Sequence, residues 1–315
     1  MSFKDRTFHL IGGANIDISG KSCSPLRFHD SNPGRISVSF GGVARNIAHT
    51  LVNLGRRVRF LTAFGDDPLG LQCLEECRRL KMDVSDCIVV PGAASSTYLA
   101  VLSDNGDMGC AVSDMSILKS LKYDHILGFL NNTRKSDILT VDTNLDAPLI
   151  DFIVSNSHCL LVSDPISTVK AEKLKPHLGR LRVFKPNRME AEVLSGLKIC
   201  DESSLFKAAQ YFRAQGVEDI LITLGEQGGL LGCNEGFFRF THKNADIVST
   251  TGAGDAFMAA YISYLDEGPF EALRCAIAAS IATCMCEKTV EDKINHEYLL
   301  SIKSNYMINI KEVKY

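Results

Sequence analysis

The chain has 315 residues, 45% of them apolar and 23% charged, enough to bury a large core in one large α/β domain or two modest ones. Its 34 Lys and Arg against 37 Asp and Glu leave a net charge of −3 with no long run of one sign, which argues against a nucleic-acid partner. No stretch of 18 residues is free of charged and polar groups, no apolar signal core opens the chain, and the eleven cysteines are scattered through apolar segments; the expectation is a cytoplasmic protein with free thiols and no membrane partner. Cys284-Met285-Cys286 has no second Cys or His cluster to complete a metal site and reads as core packing.

Phe8-His9-Leu10-Ile11 is a short apolar run closed by Gly12-Gly13, the pattern of a central strand whose carboxyl end opens on a turn, where ligands of α/β sheets gather. Asn15 and Asp17 follow, and on an extended chain their side chains share a face, where a carboxylate can accept two hydroxyl hydrogens from a vicinal diol. An Asx turn accounts for the same pair. Beyond the turn residues 30–34, residues 35–40 alternate strictly and predict a strand buried on one face only, suited to covering a cleft. Gly41-Gly42 then open a helix with Val43, Ile47, Leu51 and Leu54 at helical spacing, which sets Arg45 and Asn46 near its first turn. The two glycines either let a substrate hydroxyl approach the backbone or serve as a tight entry turn.

Residues 58–64 predict a further strand, and 65–70 lead into a helix through Leu80. Residues 96–103 and 107–112 flank Asp104-Asn105-Gly106, a hairpin turn. With residues 36–40 this hairpin would form a small sheet, with lid segments at about 16–40 and 95–113, whose Ser96, Thr97 or Asp114 either touch the substrate or stay exposed. Strands at 137–142, 160–164 and 181–184, each after a helical segment, predict a parallel sheet. Asn187 and Glu190 lie one turn apart on the next helix: Glu190 can hold Mg²⁺ through water, or the two residues form a capping box. A strand at 219–224 leads into Gly225-Glu226-Gln227-Gly228-Gly229, a flexible stretch able to line a nucleotide's phosphates or ribose.

Residues 249–260 run from a small-residue turn straight into an apolar helix. Gly252, Ala253 and Gly254 carry no bulk, so a phosphate can reach backbone N–H groups at the positive end of the helix dipole. A carboxylate set among groups that hold anions, as Asp255 is, suits accepting a proton; a glycine-rich N-cap serving helix geometry alone is the alternative. Two Ala-rich helices, about 255–265 and 270–286, follow.

Residues 41–48, continuing to Gly55 and Gly65, together with residues 249–260, resemble the two motifs of the ribokinase-like, or PfkB, family of carbohydrate and nucleoside kinases, and the resemblance runs over essentially the whole chain. Asn15-Ile16-Asp17, Asn187-x-x-Glu190 and Thr223-x-Gly225-x-x-Gly228 fall where that family has them. Within the family, residues 12–17, 30–36, 113–115 and 164–167 are similar to its pseudouridine-kinase branch. The resemblance implies a single domain over 1–315, a three-layer α/β/α sandwich with a mainly parallel sheet and a small β lid, which binds ATP and Mg²⁺ and phosphorylates a primary hydroxyl of a nucleoside or sugar. It implies Asp255 as general base, Gly252, Ala253 and Gly254 as anion hole, and Asn15, Asp17, Gly41, Gly42 and Asn46 as the ribosyl site. It assigns Asn187 and Glu190 to the phosphate and Mg²⁺ region, and Thr223, Gly225 and Gly228, with Gly252 and Gly254, to the nucleotide. Many members carry Asp at the position of Ser249 to help bind an activating monovalent cation, so K⁺ stays open as a cofactor. Members often dimerise through their lid sheets, and the apolar Ile36, Val38 and Phe40 would offer such a surface if turned away from the cleft. Ribose, adenosine, inosine and uridine remain alternative acceptors. A silent sugar- or nucleotide-binding regulator conflicts with the intact Asp255 and glycine turn, and hydride transfer would need a G-x-G-x-x-G turn that Gly12-Gly13-Ala14-Asn15 lacks.

Overall fold

Apolar runs too short for helices build the central layer. In the computed structural model, which describes residues 6–242 and 246–314, nine strands form one sheet. Their order is Ile308–Glu312, Gly236–His242, Gly229–Cys233, Asp219–Thr223, Leu181–Phe184, Leu160–Asp164, Ile138–Asp142, Thr7–Ile11 and Arg57–Leu61. The last six of these run parallel, and the first three join them antiparallel.

Successive side chains of the parallel strands enter two different cores, which is why these runs are apolar throughout rather than alternating. Ile138, Val162 and Leu221 pack with the helices Val43–Asn53, Ala253–Ser263 and Pro269–Cys284. Leu139, Val141, Leu161, Ile220 and Ile222 pack on the opposite side, with the helices Tyr123–Leu130, Ala147–Asn156 and Glu202–Ala214. Helix, sheet and helix thus form three layers. Among the described residues no helix is long and apolar enough to cross a membrane.

A second sheet has the order Gly34–Gly41, Asn15–Ser22, Thr97–Leu102 and Met108–Asp114. Its register sets Asp17 beside Ser39 and Tyr98, with Ser113 next to Tyr98, on one face. On the other face stand Ile18, Val38, Leu99 and Val112. The outer strand departs from the sequence expectation of one buried face: Ile36 is 78% and Val38 49% exposed. Among the described residues nothing covers that strand's apolar side.

Two further expectations change. The segment before Leu181–Phe184 is a single α-turn, Thr168–Ala171, continued as the 3₁₀ stretch Glu172–Arg180, because Pro176 removes a donor that an α-helix needs. Residues 58–64 form two strands, Arg57–Leu61 and Ala63–Gly65, the second paired in a separate two-stranded sheet with Ile88–Val90.

Candidate active site

The carboxyl ends of the parallel strands meet the amino end of the helix Ala253–Ser263. Gly252 occupies the N-cap with φ 81°, and the N–H of Ala256 donates to its carbonyl at 2.9 Å. Of the first helical N–H groups, that of Ala253 donates back to the Thr250 carbonyl at 3.3 Å, while those of Gly254 and Asp255 have no backbone partner among the described residues, a turn of the kind that can hold an anion. Asp255 is buried in that turn, and Asn46 Nδ2 donates to its Oδ2 at 2.8 Å. Burial, reinforced by the charge of Asp164, pushes the Asp255 carboxyl up to about 7. A carboxylate poised near neutrality is matched to taking a proton from a hydroxyl and later releasing it.

Asp17 lies across the cleft on the inner face of the small sheet. Burial raises its carboxyl to about 6, against the opposing charge of Arg45. Gly41 lets the Asp17 carboxylate keep its place, since a Cβ there would stand 1.9 Å from Asp17 Oδ2. Gly42, at φ 96°, caps the helix that carries Asn46 and approaches Gly13, whose N–H donates to Asp142 Oδ2 at 2.9 Å. Asn15 Oδ1, Asn46 Oδ1 and Ser96 Oγ are buried without a hydrogen-bond partner among the described residues. Buried polar atoms left unmet are costly, and three of them on the elements that carry Asp17 and Asn46 suit a polyhydroxyl ligand.

Thr97 and Asp114 take the other side. They share the register position of Ile16, on the face turned from Asp17; the Thr97 hydroxyl donates to Ser95 O, and exposed Asp114 accepts from Ser116 N. The period of two along a strand makes Tyr98 and Ser113 the inward pair instead.

On the far side of Gly254 opens a cavity of about 270 Å³ bordered by Asn187, Thr223, Gly225, Gly228 and Gly254. Its apolar walls are Phe240, Phe257, Ile277 and Ile281, residues the sequence reading does not pick out. Gly228, at φ 80°, has no room for a side chain, because a Cβ would stand 2.1 Å from the Phe240 carbonyl. The cavity reaches the turn at Thr250, Ala253 and Gly254, while Asn46, from the helix that follows Gly41 and Gly42, reaches Asp255, an arrangement that suits a donor and an acceptor meeting at a phosphate.

A model of the pfkB family of carbohydrate kinases matches residues 7–294. The chain is 32% identical to the pseudouridine kinase of Escherichia coli (strain K12) over 94% of its own length and 96% of that protein's. It is 26% identical to a guanosine-inosine kinase of Exiguobacterium acetylicum over 82% of its length and 87% of the relative's. An Arabidopsis thaliana ribokinase, solved in complex with ribose and ATP, shares the fold at a TM-score of 0.81 and 19% identity, over 95% of this chain and 98% of that one. The chain belongs to the pfkB family. It is therefore a phosphotransferase that acts on a hydroxyl group of a sugar or nucleoside.

In this pfkB kinase the pair Asn187 and Glu190 forms a reciprocal capping box, Glu190 N donating to Asn187 Oδ1 at 3.0 Å and Asn187 N to Glu190 Oε2 at 2.9 Å. Glu190 is nonetheless buried, and burial and then Asp164 raise its carboxyl above the usual range. An exposed cap would need neither. Among the described residues no group of three or more His, Cys, Asp and Glu could hold a metal, so an ion here would rely on water and phosphate oxygens for most of its shell. Cys284 borders the cavity beside Gly254 rather than a metal site. Sequence reading assigns no role to Asp164 or Lys185, whose side chains pair at 2.7 Å beside Asp255. A detectable sign was present, since each charge directly follows or ends a buried apolar strand.

Proposed function

We propose that this kinase phosphorylates the 5′-hydroxyl of pseudouridine, giving pseudouridine 5′-phosphate and ADP from ATP. What carries the reading is the likeness to a pseudouridine kinase along nearly the full length of both chains. The cleft chemistry accords with it. Asp17 accepts hydrogen bonds from the ribosyl diol, the unmet Asn15, Asn46 and Ser96 atoms complete the sugar's hydrogen bonds, and Gly41 leaves the backbone open to it.

Asn46 orients Asp255 through its 2.8 Å hydrogen bond, and Asp255 removes the proton of the 5′-hydroxyl as that oxygen forms its bond to phosphorus. The N–H groups of residues 252–254 receive the charge that develops on the phosphoryl oxygens. Asn187, Thr223, Gly225 and Gly228 hold the nucleotide. Glu190 would hold Mg²⁺ through water, and the ion would supply charge neutralisation on the phosphates when bound. The small sheet acts as a lid that keeps water from the transferring group.

The reading is tested by a coupled kinase assay comparing pseudouridine, uridine, adenosine, inosine and ribose, each with and without K⁺. The highest kcat/KM is expected on pseudouridine; a higher value on any of the others sinks the acceptor assignment. The K⁺ arm decides whether the hydroxyl of Ser249 serves where an Asp would hold a monovalent ion.

We also propose that two copies pair through the outer faces of their lids. Ile36 and Val38 on one strand and Leu99 and Val112 on two others give that face an exposed apolar surface continuous across the sheet. Light scattering is expected to give twice the chain's mass, falling to the monomer in Ile36→Glu. A monomeric wild-type protein at working concentration removes the proposal.

A further inference from the structure

Lys185 directly follows the strand Leu181–Phe184, and Asp164 ends the neighbouring strand, where Ser163 pairs with Phe184. Side by side at the sheet's carboxyl edge, the two form an ion pair of 2.7 Å, with Lys185 4% and Asp164 7% exposed. A buried pair of this kind adds little net stability, because desolvation offsets its attraction. Two apolar residues would serve the fold as well.

The ammonium has three donors, and among the described residues Asp164 is its one hydrogen-bond partner. It points at the anion-binding turn: a Cβ placed on Gly254 would stand 3.2 Å from Lys185 Nζ. A glycine there leaves the ammonium open toward the place where phosphate oxygens would lie. Burial works against its charge, but Asp164 first, then Glu190 and Asp255, outweigh burial and hold its pKa above the ordinary lysine value. The surroundings are largely acidic, with Asp142, Asp164, Glu190 and Asp255 gathered at one edge and Lys170 as the further cation beside Asp142. A polyanionic donor entering among four carboxylates needs a fixed positive charge.

We propose that Lys185 is the protein's own cation for the transferred phosphoryl group, aimed by Asp164 across Gly254 at the γ-phosphate oxygens. The proposal deepens the phosphotransferase reading and is independent of which hydroxyl compound is the acceptor. In the step itself, the acceptor oxygen's electron pair forms the new O–P bond, the bond from phosphorus to the ADP oxygen breaks with its pair on ADP, and the proton goes to Asp255. Lys185 keeps its protons throughout and neutralises charge on the non-bridging oxygens. Asp164 is a positioning residue.

The test separates this role from a structural one. Lys185→Met alone would leave Asp164 buried and unpaired, so the informative protein is Asp164→Asn/Lys185→Met, compared with Asp164→Asn. Calorimetric titrations with ADP and with the β,γ-imido analogue of ATP, both in EDTA, read the γ-phosphate contact without Mg²⁺, turnover or acceptor. Wild type and Asp164→Asn are expected to bind the triphosphate roughly tenfold more tightly than ADP, the worth of one charge-assisted contact. The double variant is expected to bind both alike, with ADP affinity kept and kcat lower by ~10²-fold than in Asp164→Asn. A double variant that keeps the triphosphate preference of Asp164→Asn overturns the proposal. If that variant does not fold, Lys185→Arg and the wild type carry the test, and absence of the preference in either overturns it. A wrong acceptor assignment changes none of these binding results, whereas the nucleoside panel fails or succeeds without reference to Lys185.

Discussion

Asp255→Asn is expected to lower kcat by ~10²–10⁴-fold, the usual worth of a general base, while ATP affinity stays close to that of the wild type. The substitution keeps size and shape, and the Asn46 side chain can still donate to the remaining carbonyl oxygen, so the anion-binding turn is left in place. What is lost is the ability to take a proton. The pH dependence carries the same information with a definite sign. Asp255 must be ionised to act and its carboxyl is pushed up to about 7, chiefly by burial, so kcat/KM of the wild type rises with pH through about 7 and then levels. The residual activity of the Asn variant lacks that limb.

Stability moves the opposite way. A carboxylate with a folded pKa above its unfolded one binds its proton more tightly when folded, so folding loses stability as pH rises from about 4, the unfolded value, through about 7. Above that window the wild type bears a buried charge that the Asn variant does not. Asp255→Asn should therefore melt higher than the wild type at pH 8 and not at pH 4. A variant with near-normal turnover, or one whose activity falls only because its melting temperature collapses, contradicts the assignment.

How far these features can be read from sequence follows from what encodes them. The parallel strands are legible because burial on both faces forces unbroken apolar runs, and the turn before Asp255 because glycine adopts the left-handed backbone of residue 252 without the cost other residues meet there. The antiparallel end of the sheet is not. Gly229–Cys233 follows two glycines and reads as part of a loop, and Ile308–Glu312, paired on one side only, is polar enough to pass for a tail. Strand register is equally hidden: the alternation around residues 96–114 shows that some residues face inward, but only pairing with Asn15–Ser22 makes them Tyr98 and Ser113 instead of Thr97 and Asp114. The apolar walls given by Phe240, Phe257, Ile277 and Ile281 look like ordinary core until one strand and two helices bring them together. Lys185 and Asp164 are intermediate. Each is visible as a charge at the end of a buried strand, yet their pairing depends on the order of strands in the sheet.

Gly252→Ala is expected to reduce kcat by about 10²-fold through displacement of the anion-binding turn, since misplacing reacting groups by about 1 Å has that scale of effect. Two independent constraints meet at this residue. Its φ of 81° lies in the left-handed region, and a Cβ would stand 1.8 Å from the carbonyl oxygen of Thr289. The first costs about 1–2 kcal/mol for an L-residue, and the second cannot be relieved by rotating a side chain because the obstacle is backbone. The turn must therefore move away from residue 289, carrying with it the N–H groups of residues 252–254. Gly254→Ala makes the contrast. No left-handed φ is required there, and the nearest obstacle to its Cβ is the flexible end of Lys185 at 3.2 Å, so melting should change little while triphosphate binding weakens. Thermal melts of both variants, read beside kcat, distinguish the two glycines: Gly252→Ala loses stability and turnover together, whereas Gly254→Ala loses its hold on phosphate with the fold intact. A Gly252→Ala protein with wild-type melting and turnover would show that the turn tolerates a side chain, and that its glycine does not set the position of the phosphoryl group.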